Sequence, residues 1–290
     1  MNIFDTVYEI NSKHPNKRAM SMAMNNGERH IYTYGEVFNA VEKYADALIN
    51  AGVKAGDRIA FIAESCPEWT IAFFASCKIR CTAALIDASL SGDDLDEFIT
   101  RSDVRAAFIS QTAHEKLGDV AKYKFPFFNV VDGTLLADSV ETVSADLPAS
   151  TDIDENVACI IFSSGTTRKA AGIMHYHESL IKTTQMTIKV QKLKDDARFL
   201  AILPNSHIYH IGYLRNHLFG QPIHGRIIGR YCDSLGFSGS HTRQVLGLTT
   251  GYRICCINQC LLHRQQMLYR EGSPHRGAIR ASDYAGESRE

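Results

Sequence analysis

The chain has 290 residues, of which 45% are apolar, and this is enough for one or two domains with a buried core. Its formal net charge of -1 provides no overall field that would favour nucleic acid or an anionic membrane. No uninterrupted apolar run reaches the roughly 18 residues that span a bilayer, and the N-terminal segment, with Asp5 and Glu9, lacks a signal-peptide pattern. We therefore expect a cytoplasmic protein with no integral membrane segment and no nucleic-acid partner.

The first predicted helix runs from Thr33 to Ala51. Thr33 has the side chain of an N-cap, Glu36 completes a capping box, and Gly52 is the residue type that ends a helix. Apolar side chains recur at helical spacing on one face, which carries Val37, Val41, Tyr44, Ala45 and Leu48. An amphipathic helix with one buried face is therefore expected.

Short apolar runs alternate with helical segments after this helix. The runs of strand length are Arg58–Ala63, Ala83–Ile86, Ala106–Ile109 and Val157–Phe162. Helical segments are expected to begin at Pro67 and Glu68 and to cover Leu95–Thr100 and Glu178–Val190. Helices that alternate with short buried strands are typical of α/β folds, so we predict a parallel sheet with flanking helices.

The composition changes abruptly after about Tyr213. Residues 214–290 contain ten Arg and no Lys, whereas residues 1–213 contain all thirteen Lys and eight Arg. The apolar residues of 214–290 follow neither helical nor strand periodicity. We predict a domain in 1–213 and an irregular tail in 214–290, which we interpret as out-of-frame translation. The alternative is a flexible basic tail, although its Arg residues are spread rather than clustered as nucleic-acid binding favours.

A loop rich in small and hydroxyl residues follows the apolar run that ends at Phe162. Its hydroxyl, glycine and cationic residues are Ser163, Ser164, Gly165, Thr166, Thr167, Arg168, Lys169 and Gly172. A strand of a parallel sheet delivers its loop to the carboxyl edge, where ligands bind, and small residues let backbone N–H groups approach phosphate oxygens. This is not a Walker A loop, because Ala170 occupies the second glycine position and no Lys-Ser or Lys-Thr pair follows. For the composition alone, a solvated surface turn remains the alternative.

The segment Phe162–His175 closely resembles the phosphate-loop signature of the adenylate-forming superfamily. This superfamily includes acyl-CoA synthetases, coumarate–CoA-ligase-like enzymes, luciferases and peptide-synthetase adenylation domains. Other landmarks follow in the family's order, namely Thr33-Tyr34 with Glu36, Gly52-Val53 with Gly56–Ala60, Pro67-Glu68, Ala72, Lys78, Asp87 and Leu203–Tyr209. The resemblance covers roughly residues 1–213.

The resemblance implies an AMP-forming carboxylate–CoA ligase that uses ATP, Mg²⁺ and CoA with a carboxylic acid, as in fatty-acid metabolism. It implies that the ATP phosphates are held by Ser163, Ser164, Gly165, Thr166, Thr167, Lys169 and Gly172. It places His207 beside the acyl group, although a lone His in an apolar setting is more often structural. It assigns no catalytic residue and no metal ligand within this chain.

The chain departs from the family pattern in and beyond the loop. Arg168 stands where the family has Gly, Ala170 and Ala171 replace a Pro-Lys pair, and Arg80 stands where Gly is usual. Three family segments are not found in 214–290: the Tyr-Gly-x-Thr-Glu segment with its Mg²⁺-binding Glu, the ribose-binding Thr-Gly-Asp segment, and the catalytic Lys. We therefore expect a truncated, inactive ligase; the alternative is a non-enzymatic fragment or a nucleotide-binding remnant. Its half-sheet is expected to aggregate.

Two further patterns occur in the tail, and neither predicts a site. The segment Gly236–Ser240 approaches the nucleophile elbow of a serine hydrolase but lacks the final Gly. A zinc site would need its Cys and His ligands in spaced pairs, but Cys255 and Cys256 are adjacent, and Cys260 and His263 provide no second pair with suitable spacing.

Overall fold

Within the described part of the chain, ten strands form two β-sheets and six α-helices accompany them. The computed structural model describes residues 1–23, 28–143, 154–162, 171–191, 199–201, 205–206 and 223–226. All of these belong to one compact unit, residues 1–241, and a second unit, residues 242–290, lies outside the described residues.

The larger sheet has six strands in the order β6-β5-β3-β4-β7-β8. They are β3 (Arg58–Ile62), β4 (Thr82–Leu85), β5 (Ala106–Ile109), β6 (Phe127–Asn129), β7 (Val157–Phe162) and β8 (Gly172–Tyr176). In this spatial order, the four neighbouring pairs β6-β5, β5-β3, β3-β4 and β4-β7 are parallel, as predicted. The exception is β8, which pairs antiparallel with β7. The chain returns after residues 163–171, a connection too short for the crossover that parallel strands require.

The helices pack around this sheet. They are α1 (Ile3–Asn11), α2 (Tyr34–Asn50), α3 (Pro67–Lys78), α4 (Gly92–Arg101), α5 (Gln111–Leu117) and α6 (His177–Gln191). On one face, Phe61 of β3 lies 5.1 Å from Trp69 and 6.3 Å from Phe73 of α3, measured between ring centroids. On the same face, Phe108 of β5 stacks on Tyr44 of α2 at 5.8 Å.

The opposite face of the sheet is covered by α4 and α5. Alternate residues of β3 and β5 point to this side, because side chains alternate between the faces of a strand. They form a buried cluster with the two helices that includes Ala60, Ile62, Ala107, Ile109, Leu95, Ile99, Ala113 and Leu117. The central strands are therefore buried on both faces, which is the expected arrangement for a parallel sheet.

A second, four-stranded sheet has the order β2-β1-β10-β9. Its strands are β1 (Arg18–Ala23), β2 (Arg29–Thr33), β9 (Phe199–Ala201) and β10 (Ile223–Arg226). The sequence did not predict this sheet, since β1 pairs in parallel with β10, about 200 residues away. The segment 214–290 thus contains one described strand. The predicted boundary near residue 213 and the irregular character of the tail stay predictions.

Several local predictions are confirmed. The Thr33 side chain accepts from the backbone N–H of Glu36, and the Glu36 carboxylate accepts from that of Thr33, which forms the expected capping box at α2. Gly52 follows this helix with a φ of 85°. All five residues of the predicted apolar face of α2 are buried. The strand bounds predicted for Ala106–Ile109 and Val157–Phe162 match those of β5 and β7.

The described cysteines are free thiols. Cys77, Cys81 and Cys159 are buried, and burial raises the pKa of each thiol above its ordinary value. Among the residues that the structure describes, no helix is long and apolar enough to cross a bilayer.

Candidate functional site

The strand before the candidate loop ends at the carboxyl edge of the larger sheet. β7 lies beside β4, with Ile161 paired to Leu85, and both strands run in the same direction. The segments that follow Phe162 and Leu85 are therefore neighbours at this edge, where α/β folds bind ligands.

Most of the predicted phosphate-binding residues lie outside the described residues: Ser163, Ser164, Gly165, Thr166, Thr167 and Lys169.

The loop returns to the sheet at Gly172, which pairs with Phe162 as the first residue of β8. A Cβ atom at Gly172 would lie 2.8 Å from Cγ2 of Ile160 and 3.3 Å from a ring carbon of Phe162. Real Cβ contacts are essentially never shorter than 3.0 Å, so a larger residue requires Ile160 to move. The structure thus gives Gly172 a steric role in the hairpin, and its phosphate contact stays a prediction.

Phe162 also connects this hairpin to helix α4. Its ring lies 5.0 Å from that of Phe98, between centroids, in an edge-to-face arrangement with an interplanar angle of 68°. Both rings pack against the cluster under α4 and α5. Aromatic pairs of this geometry contribute about 0.5–1.5 kcal/mol beyond the apolar area that they bury. The start of the loop is thereby attached to the interior of the fold.

The neighbouring segment after β4 is held by a lysine from α5. The ammonium of Lys116 donates to the carbonyl oxygens of Ala88, at 2.7 Å, and Leu90, at 3.3 Å. The Asp87 carboxylate accepts from the backbone N–H of Ser89 at 2.9 Å. These contacts fix the chain beside the candidate loop.

A second predicted segment also reaches this edge of the sheet. Within Leu203–Tyr209, only Asn205 and Ser206 are described, and His207 lies outside the described residues. The backbone N–H of Asn205 donates to Oγ of Ser65, in the segment that follows β3, at 3.1 Å. Asn205 is only 1% exposed, and its side-chain Oδ1 and Nδ2 have no hydrogen-bond partner. Sequence reasoning did not select Asn205, because only His207 in this segment resembles a family site residue.

His177 connects the end of the hairpin to the N-terminus of the chain. It is the first residue of α6, and its Nδ1 accepts from the backbone N–H of Ile3 at 3.4 Å. The pKa of His177 is lowered to about 4, mainly by burial and also by the N-terminal ammonium and Arg80, while Asp5 opposes the shift. His177 is therefore neutral near pH 7, and its Nε2 is buried without a hydrogen-bond partner.

Metal-binding groups do not cluster in the described ranges. No set of three or more His, Cys, Asp or Glu residues there is arranged to hold a metal ion. We assign no residue of this chain to Mg²⁺.

The fold defines an α/β protein in which Phe162 and Gly172, the residues that flank the candidate loop, lie at the carboxyl edge of a parallel sheet, where such folds bind ligands. The profile of one protein family, described as AMP-binding enzyme, matches residues 7–220. The chain belongs to this family, and the resemblance seen in the sequence is confirmed.

Known proteins with similar sequences include two plant ligases. Long chain acyl-CoA synthetase 8 from Arabidopsis thaliana is 27% identical over 209 residues, which cover 64% of this chain and 29% of that protein. The 4-coumarate–CoA ligase 3 from Oryza sativa subsp. japonica is 27% identical over 187 residues, which cover 61% of this chain and 34% of that protein. The chain spans about a third of the length of these curated relatives.

Solved structures confirm the α/β fold. A fatty acyl-adenylate ligase from L. pneumophila, in complex with acyl adenylate and pyrophosphate, superposes with a TM-score of 0.64 and 20% identity, covering 81% of this chain and 41% of that one. The N-terminal domain of FACL13 from Mycobacterium tuberculosis gives a TM-score of 0.61 and 19% identity, covering 78% and 57%. At these identities the likeness concerns the fold alone.

Proposed function

We propose that this chain carries the ATP-phosphate-binding part of a carboxylate–CoA ligase. The observation that carries the proposal is the position of Phe162 and Gly172, the residues that flank 163–171, at the carboxyl edge of the sheet. Membership of the AMP-binding family and the ligases among its relatives support it. Long-chain acyl relatives favour a role in fatty-acid metabolism, with a cytoplasmic location as the accompanying expectation.

The reaction proposed for the complete site has two steps. A carboxylate oxygen attacks the α-phosphorus of ATP, which forms an acyl-adenylate and releases pyrophosphate; the CoA thiolate then attacks the acyl carbon and releases AMP. Both steps depend mainly on positioning and on stabilising charge at the phosphates. Ser164, Thr166, Thr167 and Lys169 are the proposed phosphate ligands, and His207 is proposed to border the acyl group.

A second candidate is phosphate binding without turnover. The sequence observation that favours it is Ala171, which stands where the family has a lysine that helps to hold the triphosphate. Ala171 is exposed at the end of the loop, and a methyl group cannot neutralise a phosphate. The family segments for Mg²⁺, ribose and catalysis were also not found in 214–290. These 290 residues alone are therefore proposed to bind ATP weakly and to turn over little or not at all.

ATP–pyrophosphate exchange separates the two candidates. The 290-residue protein is assayed with labelled pyrophosphate, Mg·ATP and a panel of acids that includes palmitate and 4-coumarate, and ATP affinity is measured by calorimetry. Exchange above background that disappears in Lys169→Ala supports the ligase, whereas ATP binding without exchange supports the remnant. If the protein neither binds ATP nor exchanges pyrophosphate, both candidates are wrong.

The variant Ala171→Lys provides a matched gain-of-function control. It restores the cation that the family has at this position, so it is expected to tighten ATP binding about tenfold, a gain of about 1.4 kcal/mol. The substitution Gln185→Lys adds the same charge at an exposed position of α6, 14 residues further along the chain than Ala171. Equal tightening by both would show that net charge, not the loop, determines the affinity.

A further inference from the structure

We infer that Phe98 of α4 is a positioning residue for the candidate phosphate loop, acting through Phe162 and Gly172. This inference rests on the proposed function, because positioning matters only if residues 163–171 bind a ligand. Phe98 precedes the loop by more than 60 residues and belongs to none of the motifs that resemble the family.

The two ends of the loop meet under one aromatic ring. Phe162, which precedes the loop, and Gly172, which follows it, are paired residues of β7 and β8. The position of a Gly172 Cβ is 3.3 Å from one carbon of the Phe162 ring and 3.7 Å from another. The ring therefore covers the backbone of Gly172, and it is able to do so because Gly172 has no side chain.

Phe98 holds this ring from the side of α4. The edge-to-face contact at 5.0 Å fixes the direction of the Phe162 ring, and thus the ring's position over Gly172. Phe98 and Phe162 both pack on the buried cluster that includes Ala84 and Leu95. The contacts run in series from the cluster through Phe98 and Phe162 to Gly172. Both ends of the loop are therefore held in position relative to the centre of the fold.

Such a connection matters for a loop that binds phosphate through backbone N–H groups. These groups must be held within about 0.5 Å of their binding positions, which requires supporting residues whose own side chains are fixed. A loop whose ends are held in advance loses less conformational entropy when the ligand binds. Removing the Phe98 ring is therefore expected to loosen residues 163–171 and to weaken phosphate binding, while the sheet stays folded.

The rate of trypsin cleavage within the loop measures how firmly the loop is held, because trypsin cleaves after Arg168 and Lys169. Site-resolved cleavage of the 290-residue protein, followed by mass spectrometry, is compared for wild type, Phe98→Ala and Phe98→Tyr. Cleavage after these two residues is expected to be about fivefold faster in Phe98→Ala and near the wild-type rate in Phe98→Tyr, which retains the ring. Mg·ATP affinity is expected to fall about fivefold in Phe98→Ala only.

Phe125→Ala is the matched control. Phe125 is a buried aromatic of the same cluster, stacked on Phe127 at 5.0 Å, and it precedes β6 near the opposite edge of the sheet. It destabilises the cluster without touching Phe162, so it is expected to leave cleavage after Arg168 and Lys169 unchanged at a temperature where all variants are folded.

The outcomes separate this inference from the proposed function. Equal cleavage in wild type and Phe98→Ala, or equal acceleration by Phe125→Ala, overturns the positioning role whether or not ATP binds. If wild type does not bind ATP, the proposed function is wrong, and the cleavage rates still decide whether Phe98 orders the loop. Faster cleavage without a change in the ATP affinity of a binding-competent protein also overturns the inference.

Discussion

The centre of the larger sheet and its β7–β8 edge differ in how completely they are packed. At the centre, β3, β4 and β5 lie between helices on both faces, and eleven of the twelve residues of α3 are buried. At the β7–β8 edge, defined here as β7, β8 and α6, large apolar side chains are exposed. They include Ile173, Met174 and Tyr176 of β8 and Met186 and Val190 of α6.

This difference indicates where stability and function lie. Buried contacts at the centre supply the free energy of folding, while the candidate loop lies on the strand where that packing ends. Binding loops are commonly placed this way, on the margin of a rigid scaffold. In this chain the contacts that attach the edge to the rest of the fold include those of Phe162 with Phe98 and of His177 with Ile3.

The largest expected effect comes from a cavity at the centre. Phe73 is fully buried in α3 and stacks on Trp69 at 5.6 Å. Phe73→Ala is expected to lower the free energy of unfolding by about 3–5 kcal/mol. The matched change at the edge, Met186→Ala, removes a side chain that is 67% exposed and is expected to cost less than about 0.5 kcal/mol. Urea unfolding monitored by Trp69 fluorescence measures both, and similar costs would show that the two regions do not differ as described.

A smaller effect is expected from pH at the contact between α6 and the N-terminus. The pKa of His177 is lowered from 6.5 to about 4 in the folded protein, mainly by burial. The unfolded chain therefore binds more protons between these values, so the free energy of unfolding falls as pH falls from about 6.5 to 4. The loss approaches about 3 kcal/mol at the low end, because each pKa unit corresponds to about 1.4 kcal/mol.

His177→Gln tests this assignment. Gln cannot titrate, so urea midpoints measured across pH 4–6.5 are expected to vary less than those of wild type. His175 also has a pKa lowered by burial, so a residual slope of the same sign is expected in the variant. If the variant and wild type lose stability in parallel, another group carries the pH dependence and His177 is not the main acid-sensitive contact of the edge.

A strained turn at the centre appears when the ends of α2 and α3 are compared. Both helices end in the same hydrogen-bonded motif: Val53 donates to Leu48 after α2, and Cys81 donates to Ser76 after α3. The residue in the left-handed region is Gly52 in the first case, with a φ of 85°, and Arg80 in the second, with a φ of 60°. The sequence departure at Arg80 thus places a side chain where the backbone favours glycine.

Arg80→Gly is therefore expected to stabilise the protein. Relief of the left-handed conformation contributes about 1–2 kcal/mol, and the greater freedom of Gly in the unfolded chain offsets about 0.4–1 kcal/mol of it. A net gain of about 0.5–1 kcal/mol in the free energy of unfolding follows. Gly52→Ala is the reciprocal control and is expected to destabilise by about 1 kcal/mol. A destabilising Arg80→Gly would mean that contacts of the arginine outweigh its backbone strain.

The sequence predicted the local elements, including β7 and α6 at the edge, more completely than the contacts between distant segments, for a physical reason. The capping box of Thr33 and Glu36 and the glycine after α2 are local signals, and the structure has both. The contact of His177 with Ile3 across 174 residues and the pairing of β1 with β10 in the second sheet depend on distant segments. No local period encodes such pairings, so propensity and pattern could not predict them.

The residues of the candidate site likewise divide into those that the sequence identified and those that only the fold brings together. Family resemblance selected residues 163–172, because a phosphate loop has a composition that stands out in the sequence. It did not select Phe98, since an apolar residue on an amphipathic helix has the ordinary appearance of a core residue and its contact with Phe162 exists only in the fold. Asn205 was missed for a different reason: its buried, unpartnered amide is a property of its surroundings.

The smallest expected effect on stability, and the sharpest test of the edge, is Met174→Lys. β8 is the last strand of its sheet in the described part of the chain, and Met174 is 55% exposed there. An apolar edge strand is a template for pairing with another chain, and a lysine on it opposes that pairing. The free energy of unfolding is expected to change by less than about 0.5 kcal/mol, while aggregation followed by light scattering slows.

Gln185→Lys separates the edge from net charge, because it adds the same charge at an exposed position of α6. If it slows aggregation as much as Met174→Lys does, net charge is the cause and the exposed strand is not the interaction surface. If only Met174→Lys slows it, the β7–β8 edge is the surface through which copies of the chain associate.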